Sequence, residues 1–231
     1  MTFTKHLQKA GYLLIRSLNA LMRRKGYFFS FCLVGMLYFL LFFSIYWSNF
    51  FTFWIHWETE LIEKSQDIYT AQAAQPLLML LKSFRIGTII LSNAFFLAGL
   101  FYTKNLYRQI ALIEKEAFYI ERMLGEQTSV ISLTFVAEAF YVMAAAGLAA
   151  MFLSRAALKK ILGDISNLGG LKQVISDYQL GNMLTILVFL LLLVLTLAVI
   201  FRAVFKQVDS EQLNQPASEE QSREGDLEND K

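Results

Sequence analysis

Reactive side chains are scarce in this chain. Its 231 residues include one cysteine, Cys32, and two histidines, His6 and His56. A zinc site draws several ligands from cysteine, histidine and carboxylates at short spacings, and no such grouping occurs. No serine, threonine or cysteine stands in a pattern with a base and an orienting group. The phosphate-cradling motif GxxxxGK followed by Ser or Thr is also absent. Cys32 lies in an apolar run with no second cysteine to pair with, and His56, beside Trp57 and Glu58, reads as an interfacial polar residue. The chain is expected not to be an enzyme, with no metal and no cofactor bound by it. One distinctive ionisable group remains, Glu138, in an otherwise uncharged stretch. A carboxylate in hydrocarbon costs roughly 2.5–3.5 kcal/mol at mid-bilayer on insertion scales for Asp, and less near an interface. Glu138 is then either a proton or cation site, or a neutral or paired group holding helix to helix. Six residues on begins AAAGLAA, Ala144–Ala150, with Ala144 and Gly147 placed for close helix packing within one subunit or between two.

The elements that must carry these residues follow from composition. Hydrophobic residues make up 56% and charged residues 17%, against about 45–50% and about 25% in soluble domains. Mean hydropathy is +0.45. Crossing about 30 Å of hydrocarbon takes about 20 apolar residues in a helix. Four stretches qualify, at about 27–55, 86–103, 130–154 and 180–201. All must be helical, because backbone amides in lipid have to bond within their own segment. The fold class is an all-α membrane protein with four transmembrane helices. Trp47, Trp54 and Trp57 gather at the far end of the first span, where an aromatic belt anchors a helix.

Lys5, Lys9, Arg16, Arg23, Arg24 and Lys25 precede the first span with no acid among them. The positive-inside rule therefore puts both termini and the 104–126 connection in the cytoplasm, in the cell membrane as a multi-pass protein. Residues 3–24 carry Leu7, Leu14, Leu18 and Leu21 at helical spacing among basic residues. They are expected to form an amphipathic helix, either on the inner leaflet or docked on the bundle. The outer connections, about 56–85 and 155–179, are short, the second reading as an interfacial helix over RAALKKIL and a turn at Gly169 and Gly170. Residues 207–231 are acidic and nearly devoid of apolar residues, which reads as a disordered cytoplasmic tail.

Residues 104–126, KNLYRQIALIEKEAFYIERMLGE, carry the sharpest pattern. Leu106, Ile110, Ile113, Ala117, Ile120 and Leu124 recur at steps of four and three, one apolar stripe on a helix continuing from the second span. Arg108, Glu114, Lys115, Glu116, Glu121 and Arg122 occupy the rest, and Gly125 is placed to end the helix. The stripe is expected to pack on the protein's own helices or on lipid, leaving the charges for a partner.

The run EKEAFYIERMLGEQTSVISLTFVAE resembles the region after the second helix of FtsX-like permease domains, the membrane subunits of ABC transporters of the mechanotransmission type. Lys115 and Glu116, Arg122, Leu124 and Gly125, Glu138, and the small residues Ala144–Gly147 occupy the places of that pattern. FFLAGLFYTKN and the order of one span, an outer segment and three spans are similar too. Members often carry a large extracytoplasmic domain where this chain has a short connection. The resemblance implies that residues 1–206 are a permease domain, dimeric with itself or a second permease in the lipid bilayer, and driven by a separate ABC-type ATPase. ATP would be used by that partner, and Lys115, Glu116, Arg122 and Gly125 would contact it. It favours the structural role for Glu138. Nothing points to nucleic acid. The other readings are a small four-span accessory or immunity protein without transport, and a channel or secondary carrier.

Overall fold

The computed structural model describes residues 28–65, 68–166, 171–178, 181 and 183–213. Among them there is no strand. The helices are α1 (Phe28–Ser65), α2 (Ile68–Ile113), α3 (Lys115–Met123), α4 (Thr128–Ile165), α5 (Leu171–Asp177) and α6 (Met183–Leu213). α1, α2, α4 and α6 are long and apolar enough to cross a bilayer, so the chain is a multi-pass membrane protein. The amphipathic helix expected over 3–24 and the tail from 214 onward lie outside the described residues.

The membrane helices are longer than the apolar runs. α2 has 46 residues, about 69 Å at 1.5 Å per residue, more than twice the hydrocarbon thickness. Among the described residues, the short first connection, 56–85, is helical throughout. No glycine or proline interrupts residues 56–75, and Glu60 pairs with Lys64 at 2.8 Å one turn on. Pro76 lies inside α2 on an exposed position. RAALKKIL is likewise no separate interfacial helix. Its Ala, Leu and Lys residues are strong helix formers, and α4 runs through them to Ile165. The short detached helix is α5 instead. α6 continues past Lys206 to Leu213, taking in the beginning of what the composition assigns to the tail.

The described residues form two compact units, one of 28–102 and 143–193, the other of 103–142 and 194–213. In the first, Val34, Tyr38, Leu41, Phe42, Ile45 and Tyr46 make the buried row of α1. Ser92 Oγ of α2 lies 3.1 Å from Ser44 Oγ of α1, and each hydroxyl also reaches a carbonyl of its own helix. Gly99 sits against the Tyr38 ring, 3.5 Å from where a Cβ would stand. At Gly147, α4 meets α6: a Cβ there would fall 2.9 Å from Phe189 Cζ and 3.0 Å from Cδ2, inside the ring's contact envelope. Phe189 in turn meets Phe42 edge-on at 6.0 Å. Farther along α1, Trp47, Phe50, Phe51 and Trp54 interlock, and Trp54 Nε1 donates to Glu58 Oε1 at 3.1 Å. Tyr178, just after α5, closes on Phe50 at 5.2 Å and Phe53 at 5.3 Å. Burial there pushes its phenol up to about 12, and the neighbouring Tyr46 adds to the effect, so Tyr178 stays neutral at any physiological pH.

Gly147→Ala should destabilise the protein by about 1–3 kcal/mol through overpacking on Phe189, read as a lowered unfolding midpoint in detergent. Phe189→Leu should relieve that cost in the double variant. Gly35 has open space around its Cβ position, so Gly35→Ala should leave stability unchanged or raise it by about 0.5–1 kcal/mol. Equal losses at both glycines would contradict the close approach.

Candidate partner-docking hairpin

The second unit holds every residue singled out for partner contact. Its inner surface is aromatic. Phe135 of α4 receives Tyr107 of α2 edge-on at 5.8 Å and Phe118 of α3 edge-on at 5.7 Å. Leu106, Ile110, Ala111 and Ile131 are buried with them. Tyr107 and Phe118 are eleven residues apart, three helical turns, and so share a face. That spacing is the sequence signal for this cluster, one residue out of phase with the aliphatic stripe.

Only the first part of the stripe packs on the protein's own helices. α2 ends at Ile113, and Glu114 marks a slight break before α3 (φ −88°, ψ 10°). The helical ladder survives it: the Glu114 amide donates to the Ile110 carbonyl and the Phe118 amide to the Glu114 carbonyl, both at 3.0 Å. Leu106 and Ile110 face inward as expected, but from there the buried row runs through Phe118. It is turned by one residue, about 100°, from the row through Ile113. Ile113, Ala117, Ile120 and Leu124 stand on the outside, Ile120 58% and Leu124 80% exposed, joined by Leu112 and Met123. Both rows satisfy a 3.6-residue period, and Phe135 chooses between them by engaging Phe118.

The four predicted contact residues lie on one short helix and its cap. Lys115 and Glu116 are exposed on the first turn of α3, and Arg122 is half-buried in the last. Gly125 has φ +86° and closes the helix. Its amide donates to the Arg122 carbonyl at 2.8 Å and the Glu126 amide to the Glu121 carbonyl at 3.2 Å. That pair of bonds is the Schellman cap, which needs a left-handed residue at this position. Glu138 is buried, 3% exposed, on the same α4 face as Phe135 and Ala139. Of the predicted packing pair, Gly147 is buried and Ala144 half-buried, in the first unit. Among the described residues no cluster of His, Cys, Asp or Glu is placed to hold a metal. No family model, curated protein or solved structure matches this chain.

A Cβ at Gly125 would meet nothing within 4 Å, so any cost of substitution there is purely conformational. Gly125→Ala should lose about 1–2 kcal/mol, or roughly 2–8 °C in Tm at 2–4 °C per kcal/mol for a chain of this size. Gly125→Asn should lose less, because Asn enters the left-handed region more readily. Equal effects of the two would refute the capping role.

Proposed function

We propose that this chain is the membrane subunit of an ABC transporter of the FtsX-like type, and that the α2–α3 turn is where a separate ATPase acts on it. The observation that carries the reading is the outward-turned apolar face of Leu112, Ile113, Ile120, Met123 and Leu124. A polar band, Lys104, Asn105, Arg108 and Gln109, separates it from the apolar face of α2 that ends at Phe101. From Ile86, where that face begins, to Leu112 is about 39 Å along a helix axis, more than the hydrocarbon layer of about 30 Å can hold on an upright helix. Such a face, edged by the exposed charges Lys115 and Glu116, suits a protein outside the bilayer better than lipid. Apolar centres with polar rims are the ordinary anatomy of protein interfaces.

In this reading the ATPase surface covers Ile120, Met123 and Leu124, with Lys115 and Glu116 at the edge. The aromatic contacts of Phe135 with Tyr107 and Phe118 make α2, α3 and α4 move together, so displacement of α3 reaches two membrane helices. Gly125 holds the turn, and Glu138 and Gly147 hold helices together. With α2–α3 on the cytoplasmic side, both termini are cytoplasmic, in accord with the basic cluster at Arg23, Arg24 and Lys25.

The test is purification of the tagged full chain from its native membranes, identification of a co-purifying ABC-type ATPase, and reconstitution of the pair in vesicles. Leu124→Asp together with Glu116→Lys should reduce chain-dependent ATP turnover tenfold or more, while Glu224→Lys in the tail should not. Turnover unchanged by the double variant, or no ATPase recovered, would leave the accessory-protein reading ahead.

Topology has its own measurement. In a Cys32→Ser background, a cysteine at position 60 should react with a membrane-impermeant maleimide on intact cells. One at position 220 should react only after permeabilisation. The reverse pattern would invert the orientation.

A further inference from the structure

Of the four membrane helices, α2 is the one the described residues cover least. Only 6% of its most apolar stretch is buried, against 39, 33 and 33% for α1, α4 and α6. Its inner row includes Leu81, Thr88, Ser92 and Gly99, of which Ser92 and Gly99 meet Ser44 and Tyr38 of α1. The opposite row, Ile86, Ile90, Asn93, Leu97 and Phe101, recurs at steps of four and three and is exposed throughout, Ile90 65% and Phe101 62%. Aliphatic and phenyl side chains on such a row need nothing but lipid. Asn93 is different. It lies near the middle of the uncharged run between Arg85 and Lys104, about 12 Å from the first and about 16 Å from the second along the axis. Its Nδ2 donates to the Ile89 carbonyl of its own helix at 2.9 Å, the one hydrogen bond it makes among the described residues. A second amide hydrogen and the carboxamide oxygen remain to be satisfied at a depth where lipid tails offer neither donor nor acceptor.

We propose that α2 is the face through which two copies of this chain associate in the membrane, with Asn93 of each copy hydrogen-bonded to Asn93 of the other. A carboxamide is donor and acceptor at once, and so is complementary to itself. Copies inserted in the same sense are related by a two-fold axis along the bilayer normal, which brings the same residue of each to the same depth. Ile86, Ile90, Leu97 and Phe101 then pack copy against copy around the polar pair and keep lipid away from it. Asparagine hydrogen bonds of this kind hold helices together in bilayers. The other long exposed rows lack such a group: Phe140, Leu148 and Phe152 on α4, and Leu187, Leu191 and Val194 on α6, are carbon only. The pairing rests on the membrane character of α2 and stands apart from any ATPase.

The test uses the full chain with Cys32→Ser, reconstituted in vesicles. Single cysteines at Ile90→Cys and Leu97→Cys should form disulfide-linked dimers on copper–phenanthroline oxidation, and Leu191→Cys on α6 should not. Energy transfer between labelled copies, followed as lipid dilutes them, should show dimer affinity lowered roughly five-fold or more by Asn93→Leu, and retained by Asn93→Gln. Asn93 is exposed, so its loss should leave helicity intact by circular dichroism. The two crosslinking variants, which keep Asn93, carry the test alone if it does not. A monomer at high protein-to-lipid ratio, crosslinking on α6 in place of α2, or an Asn93→Leu variant that pairs like wild type would each overturn the proposal.

Discussion

The packing of the larger unit depends on a missing side chain. Gly147 lets the α4 backbone come so near α6 that the Phe189 ring fills the space a methyl group would need. Once seated, that ring presents its neighbour Phe42 with an edge-on contact, and three membrane helices meet at one point. Lipid tails are as apolar as leucine, so no hydrophobic drive holds helices together inside the bilayer, and close van der Waals fit has to do it. The Ser44–Ser92 contact adds a polar tie between α1 and α2 in a region where neither hydroxyl has water to turn to.

The second unit meets a different demand, that of turning the chain between two long apolar helices without losing rigidity. Phe135 takes two rings edge-on, from the end of α2 and from α3. The Schellman cap at Gly125 then stops α3 within one residue, so that α4 can begin at Thr128. Because the aromatic contacts claim the Phe118 side of α3, its aliphatic side is left outward. A short amphipathic helix thus turns its apolar face outward and keeps half of its charge, Glu121 and Arg122, partly covered. Of the two faces, the apolar one has more to gain from being covered: an apolar contact gains from burial wherever it sits, whereas exposed ion pairs contribute little.

Much of the architecture was legible in the amino-acid order. Uncharged runs too long for a soluble fold require four membrane helices, since unpaired amides are intolerable in lipid. Gly125 as a helix end and Gly147 as a close approach were readable because glycine is the residue for which a left-handed turn or a backbone contact carries no steric cost. The ends of the helices were less legible. Hydropathy marks where a helix leaves hydrocarbon, and nothing in it requires the helix to stop there, as the helical stretches on either side of Ser65 and the run through RAALKKIL show.

What tertiary structure alone decided is which face of each helix turns inward. In residues 104–126 the rows through Ile113 and through Phe118 are equally periodic, one residue apart, and local preference cannot separate them. The choice falls to Phe135, which lies on another helix and adds two aromatic contacts only if Phe118 is inside. In the same way the sequence marks Asn93 as a polar residue within a span but cannot say whether it meets a neighbouring helix of its own chain. The pairing of α1 with the Ser92 and Gly99 side of α2 leaves Asn93 on the outside. Periodicity is a property of one segment, whereas phase is set by the side chains of whatever packs against it.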